Sequence, residues 1–436
     1  MKYNKWTVAL AALGVVSFAS AANAEEKTSP VMTALSSTTI SGYVDTSAEW
    51  NPGTGNANSP PYKFGGAGKA DGFNLDVIQL RIDKPLDEQD WAAGYRADLW
   101  FGPDAKILGT DSYLGLANFA SDFAIRQAYV ALRAPIGTGL DLKMGVFDSI
   151  LGYESVEAGN NPNFTRSYGH SIEPQTHTGL LASYRFCDCF SASFGVADTM
   201  GPSINSRAFS APIPVLGLAN LPLGGNQAES YKTYMGSIAL TAPDSWGFLS
   251  GSTLYGGIAN GFSGSGLNVT VPGVITPGAN RSSYYVGATV ATPVTGLRAG
   301  AAFDYLDIHS ANNDTWSLAG YLSFQATEKL SLHARLEYFK DKQVVPGPAL
   351  GANGVLFQDL AGGTAPAEVL SLTGTVQYDL WKNVISRLEV RWDNSLGGNN
   401  LFGGGAPALV GGLPVGAVAP NAQNAWLLAL NVIYKF

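Results

Sequence analysis

The sequence predicts an all-β fold: a transmembrane antiparallel up-and-down β-barrel of about 16 strands, with short periplasmic turns and long extracellular loops. Three observations lead there: short segments whose apolar and polar residues alternate, connections that alternate long and short, and charge confined to one face of those segments. Composition sets the frame. Of 436 residues, 46% are hydrophobic and 14% charged, the formal net charge is −8, and mean hydropathy is +0.06. So little charge is unlike a soluble domain, which carries roughly 25%. The near-neutral hydropathy is equally unlike a bundle of membrane helices, and beyond residue 24 no run of about 20 apolar residues occurs. The acidic balance, without basic clusters, disfavours nucleic acid as a partner.

Taken in chain order, "MKYNKWTVALAALGVVSFASAANA" reads as a secretory signal over 1–24. Lys2 and Lys5 precede an apolar stretch that ends in Ala22-Asn23-Ala24, a small-residue cleavage site. The alternative is an N-terminal anchor, for which the stretch is short. Residues 25–37 then form a periplasmic N-terminal segment, and 38–436 a single barrel.

Alternation of period two puts successive side chains on opposite faces of a sheet. "TISGYVDTSAEW" sets Ile40, Val44, Ala48 and Trp50 against Ser41, Tyr43, Asp45, Ser47 and Glu49. "LSLHARLEYF" sets Leu330, Leu332, Leu336 and Tyr338 against His333, Arg335 and Glu337, and "VISRLEVRWD" sets Leu388, Val390 and Trp392 against Arg387, Glu389 and Arg391. The last segment, "NAWLLALNVIYKF", is aromatic or aliphatic at every second position through Phe436. Sixteen such segments are predicted, near 38–50, 74–84, 91–101, 123–133, 139–147, 177–186, 190–198, 231–241, 248–260, 282–291, 297–308, 315–326, 330–339, 368–378, 384–393 and 424–436. The faces of the fourth and ninth are ambiguous. Aromatic residues at segment ends suit the interfacial girdles of a membrane barrel.

Short connections such as "PLDEQD", "CDC" and "TEK" alternate with long ones, apart from a short link at 309–314. A periplasmic two-sheet protein would leave that arrangement to coincidence. An outer-membrane barrel, exported through the periplasm, requires it, with both chain ends at the short-turn rim. Closure satisfies every backbone group in lipid, and sixteen to eighteen strands leave an aqueous channel. The charged face then lines that channel: Arg81, Asp83, Arg96, Asp98, Lys143, Arg185, Arg298, Asp304, Arg335, Glu337, Arg387, Glu389 and Arg391. For any one of these the alternative is a wall ion pair that shapes the barrel without selecting solute.

The long connection Asp148–His177, "DSILGYESVEAGNNPNFTRSYGHSIEPQTH", is far more polar than the other loops. Its Glu154, Glu157, Arg166, His170, Glu173 and His177 are candidate constriction residues if it folds into the lumen; an outward loop is the alternative. By contrast "GPSINSRAFSAPIPVLGLANLPLGGN" and "LFGGGAPALVGGLPVGAVAP" read as surface covers or subunit contacts. Cys187 and Cys189, in "FCDCF", are open to a turn-stapling disulfide, weak metal binding or free thiols.

The polar loop also carries a resemblance. "GVFDSILGYESVEAGNNPNFTRSYGHSIEPQTHTGLLASYRF" resembles the signature of the "putative beta-barrel porin-2", OmpL-like family, through Gly152-Tyr153-Glu154, Asn161, Phe164, Arg166-Ser167-Tyr168, Pro174 and His177-Thr178-Gly179. "ISGYVDTSAEW" and "IRQAYVALRAP" extend it along the chain, while "FCDCF" departs from the pattern. The resemblance implies a porin-like barrel and brings with it no solute or binding residue.

The expected function is an outer-membrane porin passing small hydrophilic solutes or ions, narrowed by 148–177. Its partners are outer-membrane lipids and, as the Gly- and Ala-rich outward positions permit, two further copies in a homotrimer. The alternative is a non-conducting structural or adhesive barrel acting through its outer loops. No enzyme, metal or cofactor is expected: His170-Ser171 and His309-Ser310 are adjacent pairs in no catalytic motif.

Overall fold

The computed structural model describes residues 38–53, 57–110, 121–208, 213–214, 231–264, 266–267, 274–276, 280–309, 313–342, 366–405, 408–410, 413–415 and 420–436. The expected signal peptide 1–24, the segment 25–37, most of the first Gly- and Pro-rich cover and part of the second lie outside these residues.

Sixteen strands, each bonded to its chain neighbours, close into one antiparallel barrel. They are β1 (Thr39–Trp50), β2 (Gly72–Lys84), β3 (Ala93–Phe101), β4 (Phe123–Ala134), β5 (Leu140–Asp148), β6 (Thr176–Cys187), β7 (Phe190–Ala197) and β8 (Thr233–Thr241). The second half holds β9 (Thr253–Phe262), β10 (Asn280–Ala291), β11 (Leu297–Ile308), β12 (Asn313–Gln325), β13 (Leu330–Asp341), β14 (Ala367–Trp381), β15 (Val384–Ser395) and β16 (Asn424–Lys435). The seam pairs β1 with β16, from Tyr43 opposite Lys435 to Trp50 opposite Leu428. Phe436 extends it, exchanging two 3.0 Å backbone bonds with Gly42. A Cβ on Gly42 would meet the Phe436 ring at 2.6 Å, so this close approach requires glycine.

The period-two pattern becomes two chemically distinct surfaces. Leu322, Leu336, Val390 and Leu430 are exposed on the outside, whereas Asn431, Glu389 and Glu337 are fully buried inside. Trp50, Phe101, Phe123 and Trp426 ring the long-loop end; Trp91, Trp246, Trp381 and Phe436 ring the short-turn end. These are the two interfacial girdles of an outer-membrane barrel. Leu430→Arg, at mid-strand on the outer face, should cost about 2–4 kcal/mol. Urea-titrated refolding into vesicles measures it, and an unchanged midpoint would mean that this face meets water.

Two bulges explain where simple alternation fails. The β1–β2 register shifts after Asp45 and skips Asp76, so Asp76 and Val77 are both buried. The β3–β4 register shifts after Asp98 and skips Arg126, which turns Arg126 and Gln127 both inward. One extra residue on one strand re-aims the side chains beyond it, which is why the faces of the fourth segment were ambiguous. The ninth has no bulge; its Gly256, Gly257, Ala259 and Gly261 merely carry too little side chain to mark a face. It starts at Thr253, later than expected, because Asp244–Leu249 forms 3-10 turns. At the β6–β7 turn, Cys187 and Cys189 are joined in a disulfide, with Cα atoms 5.3 Å apart.

Candidate functional site: a folded loop across the barrel lumen

The connection between β5 and β6 turns inward and is fastened to two separate arcs of the wall. Locally it holds itself together with amides. Asn161 accepts from the Ser155 N–H (2.7 Å) and donates to the Ser155 carbonyl (2.6 Å). Ser167 caps a short helix, α1 (Tyr168–Ile172), accepting from the His170 N–H at 3.0 Å, as short polar N-cap side chains do.

Three clusters then bind loop to wall. On the β2–β4 side, Glu157 faces Arg81, Arg96 and Arg126. Arg126 Nη1 reaches Glu157 at 2.7 Å and Asp98 at 2.8 Å, and its other nitrogen pairs with Asp148. Arg81 pairs with Asp98 (2.9 Å) and Glu157, and Arg96 with Asp98 at 2.7 Å. Burial works against the charge on Glu157, but Arg81, Arg126 and Arg96 outweigh it and hold the carboxyl at about 2.

On the β13–β15 side, the wall grips loop backbone. Arg335 donates to Glu154 and to the Thr165 carbonyl, both at 2.8 Å. Glu389 accepts from the N–H groups of Phe164 (2.6 Å) and Thr165 (2.9 Å). Arg387 donates to the carbonyls of Ala158 and Asn161, and Arg391 to that of Arg166. Arg166 itself turns inward to the carbonyls of Phe164 and Val156. Burial raises Glu154, yet Arg335 and then His170 and Arg166 hold it below the usual range.

On the β11–β13 side, the Gly169 N–H donates to Glu337 at 2.9 Å, and Gly169 abuts Asp304 so closely that a Cβ there would lie 2.4 Å from its carboxylate. Glu173 lies 3.3 Å from His170 Nδ1. Burial, then the facing Asp304, push Glu173 well above the usual carboxyl range. Burial first and Arg166 second push His170 down to about 3.

Glycines in the wall act as sockets. A Cβ on Gly300 would meet the Tyr153 hydroxyl at 1.9 Å, and one on Gly257 would meet Leu151 at 2.4 Å. Gly300→Val should therefore lift the start of the loop off β11 and destabilise it by about 1–3 kcal/mol. Chemical denaturation measures the cost; a wild-type midpoint would contradict the socket.

Acid should loosen the loop. Glu157 has a depressed folded value, so its contribution is complete above the ordinary 4.5 and disappears as pH falls toward about 2. Glu173 works in the opposite sense, but below about 4 it is protonated with the loop docked or free. Hydrogen-exchange protection of loop amides should fall between pH 4 and 2; constant protection would refute the linkage.

Of the residues expected from sequence, Arg81, Arg96, Asp98, Asp304, Arg335, Glu337, Arg387, Glu389 and Arg391 meet the loop directly or through its partners. Lys143 instead lies 5.0 Å over the Tyr129 ring. Arg185 pairs with Asp188 at the short-turn rim. Asp83 accepts from Thr39 near the same rim. His177 sits in β6 beside Phe147 and bonds Thr199 rather than holding the loop. Sequence reasoning missed Arg126, whose signal was the polar pair Arg126-Gln127 interrupting the alternation. It also missed the β1–β2 loop: Tyr62 lies under Arg391 at 4.4 Å, Phe64 packs on Trp100, and the Lys63 N–H donates to Ser171.

His309 lies away from the loop, at the strand end on the long-loop rim. Its Nε2 is 2.9 Å from Ser282 Oγ and its Nδ1 is 3.2 Å from Asp307, a Ser-His-Asp sequence of contacts at the long-loop rim. Ser282 is only 1% exposed and also accepts from Asn260, so its hydroxyl is not presented to a substrate carbonyl. Ser310 lies outside the described residues.

What the loop leaves open is a cavity of about 610 Å³ between itself and the wall, extending to the β10–β11 turn at the short-turn rim. Ile150, Leu151, Ile238 and Leu297 line it together with tyrosines and polar side chains that include Ser323, Gln325 and Arg298.

The model of the family described as "Putative beta-barrel porin-2, OmpL-like" matches residues 37–436. Solved structures share the fold at low identity. The anion-selective porin from Comamonas acidovorans is 12% identical, covers 92% of this chain and 99% of its own, and has a TM-score of 0.52. The outer membrane channel DcaP of Acinetobacter baumannii is 11% identical, with 92% and 97% covered and a TM-score of 0.51. The trimer form of OmpT from Vibrio cholerae is 11% identical, with 92% and 99% covered and a TM-score of 0.50. A search of curated proteins finds no match.

Proposed function

The chain belongs to this OmpL-like family of outer-membrane porins, and on that premise we propose that it conducts small hydrophilic solutes passively past the loop Asp148–His177, with the inward charged residues setting the bore. The observation that carries this reading is the loop itself, which is bonded to opposite sides of the wall and still leaves an open cavity reaching the periplasmic rim. A plug meant to seal would fill that space. Mixed Arg and carboxylate clusters of this kind suit a selective constriction.

The reading includes no chemical step. The Ser282–His309–Asp307 contacts have no accessible nucleophile, and of the loop's glutamates Glu154 and Glu157 are engaged with arginines while Glu173 faces His170 and Asp304. A homotrimer is the proposed assembly, supported by the trimer form named for the V. cholerae OmpT structure. Purified protein in planar bilayers tests the function. Stepwise conductance is expected; its absence at every voltage would instead favour a structural or adhesive barrel acting through its outer loops.

A further inference from the structure

The helical end of the inner loop docks on acid rather than on base. Glu173 closes α1, its N–H donating to the Gly169 carbonyl at 3.2 Å, and its carboxyl is in hydrogen-bond contact with that of Asp304 on β11. The Glu173 side chain is 6% exposed and Asp304 4%. Gly152 closes one side of the contact, since a Cβ there would lie 2.3 Å from Glu173 Oε2. The cavity beside the two carboxyls, bounded by Ile172, Ser283, Tyr285 and Tyr305, is only about 10 Å³, room for a single water at most.

The surrounding elements do not neutralise this contact. On α1, His170 Nδ1 lies 3.3 Å from Glu173, but burial and Arg166 keep the imidazole uncharged, with Lys63 of the β1–β2 loop acting in the same sense. The start of the loop brings Glu154, paired with Arg335, and β10 brings Tyr285. From β13 comes Glu337, which accepts from Ser317 of β12 at 2.6 Å and from the Gly169 N–H, and on which Arg335 and Arg391 act from the side. Among the described residues no Lys or Arg forms an ion pair with Glu173, Asp304 or Glu337. Two carboxylates in contact with so little water repel strongly, and one proton held between them converts the repulsion into a charge-assisted hydrogen bond. Asp304 Oδ1, which no other group donates to among the described residues, is placed to accept it.

We propose that Glu173 and Asp304 share a single proton and form a latch that seats the helical end of the inner loop, so that the channel is narrowest in mild acid and widens as that proton is withdrawn. Burial and Asp304 raise Glu173 in the docked loop, so its contact is complete below the ordinary 4.5 and weakens as pH rises above it. Undocking releases one proton, so each pH unit in that range weakens the seat about tenfold. The Glu157 arm is complete above 4.5 and stays constant meanwhile. The inference deepens the channel reading and rests on it for the change in current, but the latch is measured without current.

Two readouts on the full chain test it between pH 5 and 8: hydrogen exchange of the Gly169 and Glu173 amides, corrected for the intrinsic rate, and conductance in planar bilayers. Wild-type protection should fall about tenfold per pH unit while conductance rises. In E173Q the side-chain amide donates to Asp304 at every pH, so protection should stay high and conductance low, both flat. E173A has nothing to share the proton, so both should be flat at the loosened level. Circular dichroism should show an intact barrel in both variants. Lys63, pushed down to about 8 by burial, also titrates in this range. A pH dependence that persists in E173Q would therefore pass to Lys63 and overturn the latch, as would constant protection in the wild type. Falling protection at constant conductance would overturn the widening of the channel. Falling protection without any current would support the latch and overturn the channel reading.

Discussion

Replacing residues 152–173 with a short Gly-Ser linker should raise single-channel conductance roughly two- to fivefold, because a sixteen-strand wall without its loop encloses an aqueous channel. The wall does not depend on the loop for closure. Its strands pair continuously from β1 to β16, and the seam is made by β1 and β16 themselves. Excision would leave Arg335, Arg387, Arg391, Glu337 and Glu389 facing water, which ionised side chains tolerate well. The expected protein is therefore folded, wider and less discriminating. Unchanged conductance in a folded variant would mean that the ionic path does not run past the loop, and the functional reading would fail.

Arg126→Leu is the second large effect. Arg126 is 2% exposed and binds Asp98, Glu157 and Asp148 together. Leucine fills part of the space but leaves three carboxylates with Arg81 and Arg96 alone. Breaking one side of a buried ion cluster costs about 3–5 kcal/mol, whereas removing all its charges together is far milder. Arg126→Leu should thus lower the denaturation midpoint and expose Arg166 to trypsin. Combining it with Asp98→Asn and Glu157→Gln should restore much of the loss. Equal destabilisation in the single and triple variants would show that packing against Trp100, whose ring lies 5.8 Å from the guanidinium, matters more than charge.

The barrel was legible in the sequence because lipid and lumen impose opposite demands on alternate residues, and a period of two repeats that contrast along every strand. Leu430 beside Asn431 is enough to see it. The loop was half legible. Its polarity marked Glu154, Glu157 and Arg166, but the partners of a loop are set by where the wall stands around it. Nothing in local spacing says that Glu389 will hold the amides of Phe164 and Thr165, which are 225 and 224 positions away. Arg126 was hidden for a different reason. A bulge shifts the alternation by one residue, and in a strand such as "FAIRQAYVALRA" that shift reads as ambiguity rather than as a feature. Tyr62 and Phe64 were hidden because nothing in the composition of a long connection shows that it folds back as a buttress against the loop and wall.

The attachment points of the inner loop come from β2–β4 and from β11–β15, on both sides of the seam between the chain's two ends. They stand in place only once the cylinder is complete. Full seating of the loop is therefore expected no earlier than closure of the wall, and a bilayer current that steps up on insertion and then decays would show that the restriction is completed last.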